Sequence, residues 1–311
     1  MARIVFMGSP DFAVPSLQAL ARAHQVVGVV TQPDRPAGRG SRLRSPPVKV
    51  AAQALSLPVY QPESLHTPDT LTCLAAWEPE VVVVAAFGQI LPPAVLDLPP
   101  YGCINLHASL LPRWRGAAPI AAAILAGDVV TGVTVMRMDA GVDTGPIVAR
   151  REEPIRPDDT TGTLSDRLAR LAADLIVETL FPYLAGELHP QPQPEEGVTV
   201  CRPLKKEDGR LDWTRPAEEL DRQVRAVTPW PGAFTTWRGQ RLKVLRATPL
   251  PGWRGVGAPG TVIAWKGGAV VIAGEGALQL LQVQLAGKKA LPIGAFLRGQ
   301  RRFLGARLGE G

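Results

Sequence analysis

The first 31 residues predict an apolar strand, then a helix, then a second apolar strand. Of all the features of the sequence, this order most limits the folds that the chain can adopt. Residues 3–7 form an apolar run that ends at Gly8, helical spacing follows over residues 14–21, and residues 26–31 are apolar again. Such a unit places its strands parallel and side by side. Further strands are predicted at residues 58–60, 81–86, 103–107, 132–138 and 147–154, and further helices at 47–54, 117–126 and 164–184. We therefore predict an open, doubly wound, mostly parallel α/β sheet of Rossmann-like type.

A proline-rich stretch separates this sheet from a different kind of pattern. Residues 186–197 carry prolines at alternate positions, Pro190, Pro192 and Pro194, which predict an extended linker. Beyond it, a helix is predicted over residues 216–227. Five short alternating segments follow, at residues 233–237, 241–245, 260–264, 269–273 and 278–283. Short strands at this spacing indicate a small OB-like β-barrel.

Charge is distributed unevenly over the predicted domains, which are residues 1–185, a linker of residues 186–204, and residues 205–311. Residues 1–204 hold 16 Lys and Arg against 20 Asp and Glu, a net charge of −4. Residues 205–311 hold 18 against 8, a net charge of +10. A basic C-terminal third suggests a polyanionic partner for that third. An arginine-rich composition without a specific partner is the alternative.

Several classes of protein are disfavoured by composition and motif. The sequence has no apolar run of membrane-spanning length, and it begins with a strand pattern instead of a signal peptide. The cysteines, Cys73, Cys103 and Cys201, are too scattered for a CxxC metal site or a disulfide framework, so we expect a cytoplasmic protein. The turn at Gly8 lacks G-x-G-x-x-G, which disfavours a dehydrogenase with a nicotinamide cofactor.

Two polar residues stand at the end of the predicted strand 103–107. Asn105 and His107 are two positions apart, so they share one face of a strand, whereas Ile104 and Leu106 point into the packing. Open α/β sheets bind ligands at the carboxyl ends of their strands. An amide donor and a titratable imidazole there indicate a catalytic site. A pair of buried polar residues with satisfied hydrogen bonds is the alternative.

A loop rich in glycine, proline and arginine follows the second strand. Residues 32–47 include Arg35, Arg39, Arg42 and Arg44, and their composition predicts neither helix nor strand. Because the loop follows a parallel strand, we expect it at the ligand-binding edge of the sheet. It could contact a polyanion there, or it could be a solvated surface loop.

Several separate motifs make the chain resemble a known family. They are G-S-P-D-F from residue 8, T-Q-P-D-R-P-A-G-R-G from 31, N-L-H-A-S-L-L-P-R-W-R-G-A-A-P-I from 105, M-D-A-G-V-D-T-G from 138, P-W-P-G from 229 and A-G-K-K-A from 286. Over nearly its whole length the chain is similar to the methionyl-tRNA formyltransferases, which belong to the folate-dependent formyltransferases. The arginine loop and the basic C-terminal domain favour the tRNA branch of that family.

The resemblance implies an activity, a site and two substrates. The activity is transfer of the formyl group of 10-formyltetrahydrofolate to the α-amine of methionine on initiator tRNA, for translation initiation, without a metal. The catalytic residues implied are Asn105, His107 and Asp143. The folate-binding residues implied are Ser109, Leu110, Leu111, Pro112, Phe87, Gly88, Ile90, Leu91, Asp139, Ala140, Gly141 and Val142. The tRNA contacts expected are Arg35, Arg39, Arg42, Arg44, Lys205, Lys206, Lys288 and Lys289, on a protein that we expect to be a monomer.

The chemistry of formyl transfer suits the three catalytic candidates. Negative charge develops on the formyl oxygen, and losing one donor aimed at such charge costs about 2.7–4 kcal/mol. Asn105 offers an amide donor, and His107 can donate or carry a proton near neutral pH. Asp143 could hold the imidazole or position a water that relays the proton. By residue type alone, an aspartate between glycines is most often a turn residue.

Two other functions compete with this interpretation. A formyltransferase for a small amine, such as a sugar nucleotide or glycinamide ribonucleotide, would not need the basic C-terminal domain. A non-catalytic tRNA-binding protein would not need Asn105, His107 and Asp143 together. The sequence therefore favours an enzyme that acts on methionyl-tRNA.

Overall fold

The computed structural model of the protein describes residues 1–37 and 42–309. They form two compact units. The N-terminal unit comprises Met1–Pro119, Val130–Pro154 and Ser165–Cys201, and the C-terminal unit comprises Ile120–Val129, Ile155–Leu164 and Arg202–Gly311. Within the described residues, none of the helices is both long and apolar enough to cross a membrane.

A seven-stranded sheet forms the centre of the N-terminal unit. The strands of this unit are β1 Arg3–Gly8, β2 Gln25–Val30, β3 Arg35–Ala37, β4 Arg42–Arg44, β5 Val59–Tyr60, β6 Val81–Ala85, β7 Cys103–His107, β8 Arg115–Gly116, β9 Val130–Arg137, β10 Ile147–Pro154 and β11 Val200–Cys201. The sheet has the order β10-β9-β7-β6-β1-β2-β5. β5, β2, β1, β6 and β7 are parallel, and β9 and β10 are antiparallel additions. The predicted mostly parallel sheet is confirmed.

Helices follow the strands of this sheet, and the first four of them connect its parallel strands. They are α1 Val14–Ala23, α2 Pro47–Ala54, α3 Pro68–Ala76, α4 Pro93–Leu96, α5 Pro119–Ala126 and α6 Thr161–Leu184. The bounds of α2 and β10 equal those predicted from the sequence. Every residue of β6 is buried, which four consecutive β-branched valines suit because helices cover both faces of a doubly wound sheet. Strand order reverses between β1 and β6, and such a switch point opens a crevice for ligands.

The arginine-rich loop contains a short hairpin, so its prediction as a segment without strands is wrong. β3 and β4 pair antiparallel, with Arg35 opposite Arg44 and Pro36 opposite Leu43. A two-stranded ladder leaves one edge of each strand unpaired, and a proline is tolerated on such an edge. Composition alone therefore did not reveal these strands.

The C-terminal unit is built on an antiparallel sheet. Its elements are α7 Ala217–Ala226, β12 Phe234–Trp237, β13 Gln240–Leu250, β14 Val262–Trp265, β15 Gly268–Ile272, β16 Ala277–Leu285, β17 Leu291–Pro292 and α8 Ile293–Gly299. The sheet has the order β12-β13-β16-β15-β14, and β17 pairs with β16. All five predicted strands are present in this half-barrel, which agrees with the OB-like prediction. The sequence did not predict β17 or α8.

Aromatic packing joins α8 to the sheet of the C-terminal unit. The ring of Trp237 lies edge-on to those of Phe296 and Phe303, with centroids 6.0 and 5.2 Å away. Phe296 and Phe303 also pack edge-to-face, at 5.1 Å. Edge-to-face pairs contribute about 0.5–1.5 kcal/mol beyond burial of their area. Trp237 is therefore a core residue of this unit.

Candidate active site

Strand β7 carries two of the predicted catalytic residues. It lies between β6 and β9, so it is an interior strand of the main sheet. Ile104 and Leu106 are buried in the packing, and alternation along the strand leaves Asn105 and His107 on the opposite face. Only 7% of the His107 side chain is exposed. The imidazole is therefore shielded from bulk water before any substrate binds.

Asp143 reaches the same face from the loop between β9 and β10. Because β9 is antiparallel to β7, with Arg137 opposite Ile104, β9 ends beside the start of β7. The loop after it therefore folds back to bring Asp143 beside Asn105. Asp143 has a φ of 52°, and at Gly145 a Cβ would lie 1.9 Å from the carbonyl oxygen of Arg137. The turn needs glycine at position 145 because the two segments of backbone approach so closely.

The carboxylate of Asp143 is the centre of the site. Its Oδ1 accepts a hydrogen bond from Asn105 Nδ2 at 3.3 Å, and its Oδ2 lies 3.5 Å from His107 Nδ1. The Oδ2 atom also accepts a hydrogen bond from the backbone N–H of Gly116 at 2.8 Å. The structure thus brings the three predicted catalytic residues together and adds a backbone donor from β8.

The hydrogen-bond partners of His107 define where its protons lie. Nε2 is 2.9 Å from the carbonyl oxygen of Trp114, which can only accept, so Nε2 carries a proton. Nδ1 faces the carboxylate of Asp143, another acceptor. A hydrogen bond between them therefore needs a second proton, on Nδ1 or on the carboxyl group.

The S-L-L-P segment that follows β7 is tied to its surroundings at several atoms. Ser109 Oγ donates to the carbonyl oxygen of Arg113 at 2.6 Å. Thr134 Oγ1 accepts from the Leu111 N–H at 3.1 Å and donates to the Ser109 carbonyl oxygen at 2.7 Å. Leu110 is half-buried, whereas the other three residues of the segment are buried. The segment therefore offers a ligand a rigid wall in which Leu110 is the accessible side chain.

The other predicted folate-binding segments combine buried and exposed residues. Phe87 and Leu91 belong to a buried apolar cluster, whereas the side chains of Ile90 and Val142 are 73% and 59% exposed. The exposed members are Gly88, Ile90, Asp139, Ala140, Gly141 and Val142. Isolated apolar side chains beside polar loops suit a flat heteroaromatic ring, which needs apolar contact on its faces and polar partners at its edge.

Of the predicted tRNA-contacting residues, two arginines of the N-terminal unit and four lysines of the C-terminal unit are exposed. Arg35 and Arg44 face each other across the hairpin β3–β4, and both are exposed. Arg42 begins strand β4, and Arg39 lies outside the described residues. In the C-terminal unit all four predicted contacts are exposed: Lys205, Lys206, Lys288 and Lys289. The exposure of Arg35, Arg44 and the four lysines leaves their charge accessible.

A polar clamp holds the base of the hairpin, and sequence reasoning missed it. Asp34 accepts hydrogen bonds from Lys49 Nζ at 2.7 and 2.9 Å, from Gln61 Nε2 at 2.8 Å and from Ser45 Oγ at 3.0 Å. Lys49 foremost, then Gln61, holds the pKa of Asp34 below its ordinary value. The clamp joins both ends of the hairpin to α2 and to the segment after β5.

The C-terminal part of the predicted linker packs against β8, next to the site, and the sequence did not predict this contact. β11 pairs parallel with β8, so that Cys201 lies opposite Gly116. The Trp114 N–H donates to Thr199 Oγ1 at 2.8 Å. At Gly116 a Cβ would lie 2.2 Å from the carbonyl oxygen of Cys201. A proline-rich pattern predicts extended chain but not what the chain lies against, so no signal in the sequence identified this contact.

Burial disfavours the thiolate form of the two buried cysteines of the N-terminal unit. Burial raises the pKa of Cys103 to about 12 and also raises the pKa of Cys201. Thiols with raised pKa values stay protonated and unreactive near neutral pH. Over residues 1–37 and 42–309, the side chains of His, Cys, Asp and Glu form no group of three that could hold a metal ion.

Two families of known proteins match the chain, one over its N-terminal part and one over its C-terminal part. The family described as Formyl transferase matches residues 2–180, and the one described as Formyl transferase, C-terminal domain, matches residues 203–301. A methionyl-tRNA formyltransferase of Chloroflexus aurantiacus is 51% identical over 300 residues, 96% of each chain. One of Magnetococcus marinus is 51% identical over 311 residues, 99% of each chain.

A solved structure shares the fold at much lower identity. HypX from Aquifex aeolicus, in complex with tetrahydrofolic acid, superposes with a TM-score of 0.64 at 19% identity. The match covers 97% of this chain and 48% of HypX, so the chain spans about half of that protein. This likeness supports the architecture of both units.

Proposed function

The chain belongs to the formyl transferase family and, within it, to the methionyl-tRNA formyltransferases; from this premise we propose that it transfers the formyl group of 10-formyltetrahydrofolate to the α-amino group of methionine on initiator methionyl-tRNA. This formylation prepares the charged tRNA for translation initiation. The observation that carries the proposal is the contact of Asn105 and His107 with the carboxylate of Asp143. We propose these three residues as the catalytic ones.

Asn105 is suited to stabilise charge on the formyl oxygen. Its Nδ2 has two hydrogens, and the Oδ1 atom of Asp143 accepts one of them. The second hydrogen can donate to the oxygen of the formyl group that the folate substrate supplies. Because Asp143 already holds the amide, the donor is oriented before the reaction and needs no reorganisation during it.

His107 and Asp143 are suited to move the proton that the attacking amine loses. An α-amine ordinarily has a pKa of about 8, so a substantial fraction is neutral near pH 7 and can attack without strong activation. The amine forms a bond to the formyl carbon, and its extra proton can pass to the Nδ1–Oδ2 contact. The contact can then give the proton to N10 of the folate as the bond between the formyl carbon and N10 breaks and tetrahydrofolate leaves. The 3.5 Å separation is long for a hydrogen bond, as is common before substrate binds.

The folate substrate fits the residues at the ends of β6 and β9. Exposed Ile90 and Val142 supply apolar surface for the pterin ring, and the rigid S-L-L-P segment supplies a wall. The carboxylate of Asp139 accepts hydrogen bonds from the Gly141 N–H at 3.0 Å and from Thr144 Oγ1 at 2.7 Å. These two bonds hold the loop that follows β9. HypX binds tetrahydrofolic acid on the same fold, which is consistent with this proposal.

The basic residues suit a tRNA substrate. The net charge of +10 over residues 205–311 would attract the phosphate backbone, and exposed Arg35 and Arg44 would meet the acceptor end. In this proposal residues 1–185 carry out catalysis, residues 205–311 bind tRNA and residues 186–204 connect them. We further propose that the protein works as a monomer in the cytoplasm.

Formylation of purified substrates tests the proposal. The protein is incubated with 10-formyltetrahydrofolate and initiator methionyl-tRNA, and formylmethionine is measured by mass spectrometry after the ester is hydrolysed. We expect formylmethionine with wild-type protein and a large loss with His107→Ala. Uncharged tRNA and an amino-sugar nucleotide serve as alternative acceptors. Formylation of the sugar alone would indicate a small-amine enzyme, and tRNA binding without formylation would indicate a binding protein.

A further inference from the structure

Gln193 lies in the proline-rich segment, yet its side chain joins two loops of the candidate active site. Its Nε2 donates to the carbonyl oxygens of Asp143 at 2.8 Å and Gly145 at 2.7 Å. Its Oε1 accepts from Nε and Nη2 of Arg115, at 3.1 and 2.8 Å. One half-buried amide thus makes four hydrogen bonds, all of them within the N-terminal unit.

These partners determine the orientation of the amide. Two carbonyl oxygens can only accept, and a guanidinium can only donate. In the observed orientation both hydrogens of Nε2 meet carbonyl oxygens and Oε1 meets two N–H groups. A flipped amide would set oxygen against oxygen and N–H against N–H at all four contacts. Only glutamine supplies donors and an acceptor in this arrangement at this length.

Both loops that Gln193 joins reach the carboxylate of Asp143. The amide fixes the backbone carbonyls on either side of Thr144, in a turn where Asp143 has a φ of 52°. It also holds the side chain of Arg115, whose neighbour Gly116 donates its N–H to Asp143 Oδ2 at 2.8 Å. Gln193 therefore influences the direction of the carboxylate in two ways. It holds the backbone of the turn that carries Asp143, and it holds Arg115, which precedes the donor Gly116.

We propose that Gln193 is a positioning residue, which keeps the carboxylate of Asp143 in contact with Asn105 and His107. The inference rests on the proposed function, because it assigns Gln193 a part in that reaction. A catalytic group displaced by about 1 Å can lose about 100-fold in rate. Among the described residues, no hydrogen bond joins the Gln193 side chain to Asn105 or His107, whereas two of its hydrogen bonds go to the backbone of the turn that carries Asp143.

Two variants remove the donors while keeping the length of the side chain. Gln193→Met removes all four hydrogen bonds without adding charge, and Gln193→Glu keeps the acceptor for Arg115 but sets a carboxylate against two carbonyls. We expect kcat for formylation of initiator methionyl-tRNA to fall about 10- to 100-fold in each, with KM for both substrates unchanged. The matched control is Gln191→Met, because the Gln191 side chain is exposed and its amide donates to the nearby His189 carbonyl oxygen, at 3.1 Å.

A double-mutant comparison separates positioning from general stability. Gln193→Met is also measured in an Asp143→Asn background, by single-turnover formylation with excess enzyme. If Gln193 acts through Asp143, the substitution has little further effect there, because residues that act as one unit are not additive. An equal fold-loss in both backgrounds would overturn the proposal.

Other outcomes are equally decisive. A rise in KM alone would assign Gln193 to substrate binding and overturn the positioning role. Loss of activity matched by loss of folded protein in both Gln193 variants, seen as melting below the assay temperature, would leave a structural role only. If the wild-type protein itself fails to formylate methionyl-tRNA, the proposed function is wrong. Because wild type is measured before any variant, this failure is distinguished from a failure of the role proposed for Gln193.

Discussion

The loop that carries Asp143 and the hairpin β3–β4 are both irregular connections of one sheet, but they are held differently. The Asp143 loop is bound at its backbone by Gln193 and at its carboxylate by Asn105 and Gly116. The hairpin is clamped at its base by Asp34, while Arg35, Leu43 and Arg44 are exposed. Reacting groups must be placed to within about 0.5 Å, whereas attraction of a polyanion needs accessible charge.

This difference predicts that changes in the two regions alter different kinetic constants. Substitutions around Asp143 should lower kcat, because they disturb groups that act in the transition state. Substitutions in the hairpin should raise KM for tRNA and leave kcat unchanged.

The largest effect is expected at His107, which carries the proton in the proposed reaction. His107→Ala should lower kcat by about 10²–10⁴-fold, the usual contribution of a general acid–base. Tight binding of tRNA should persist, which filter binding can measure. His66→Ala is the matched control, because His66 is exposed and remote in sequence from the site. A normal kcat in His107→Ala would remove the imidazole from the mechanism.

The next effect is expected at the tight turn beside Asp143. A Cβ at Gly145 would lie 1.9 Å from the Arg137 carbonyl oxygen, so Gly145→Ala must displace the loop. We expect kcat to fall about 100-fold while KM for tRNA is retained. Gly252→Ala is the control, because a Cβ there meets no atom of the described residues within 4 Å. Equal behaviour of the two variants in steady-state kinetics would show that the loop tolerates movement.

A smaller effect is expected in the hairpin. Arg44→Glu should raise KM for tRNA about 10-fold without changing kcat, and should reduce the slope of log KM against log salt by about 1. Arg22→Glu makes the same change of charge at an exposed position of α1 and should leave KM unchanged. If both variants raised KM alike, long-range charge would explain the effect and the hairpin would have no special part.

The smallest effect is expected at the clamp of the hairpin. Lys49 and its neighbours lower the pKa of Asp34 below its ordinary value of 3.8. A lowered folded-state pKa stabilises the protein above the unfolded-state value, and this stabilisation is lost as pH falls through the folded-state pKa. Wild type should therefore melt at a higher Tm than Asp34→Asn at pH 6, and the difference should shrink below about pH 4. A difference that stays constant down to pH 3 would contradict the clamp.

Much of the fold, and two of the three proposed catalytic residues, could be predicted because the sequence patterns that indicate them are local. Alternation of apolar strands with helices revealed the sheet, and the bounds of α2 and β10 were correct. Asn105 and His107 stood out as polar residues at the end of an apolar strand. Asp143 needed the family resemblance, because a residue after an antiparallel strand reaches β7 only through the return of its loop.

The missed features depend on contacts between distant parts of the chain. Gln193 lies 50 residues from its partner Asp143, and the proline pattern around it indicates only extended chain. The partners of Asp34, Lys49 and Gln61, lie 15 and 27 residues further along the chain, so local sequence did not reveal the clamp. The hairpin β3–β4 was hidden by proline and glycine, since strand propensity says little about a two-stranded ladder.

The most direct test of the division between the two regions is the single-turnover rate of formylation at saturating 10-formyltetrahydrofolate and initiator methionyl-tRNA. Under saturation, binding defects disappear and only the arrangement of the reacting groups matters. We predict a rate far below wild type for Asp143→Asn and a wild-type rate for Arg44→Glu. A wild-type rate for Asp143→Asn, or a slow rate for Arg44→Glu that more tRNA does not restore, would contradict the account.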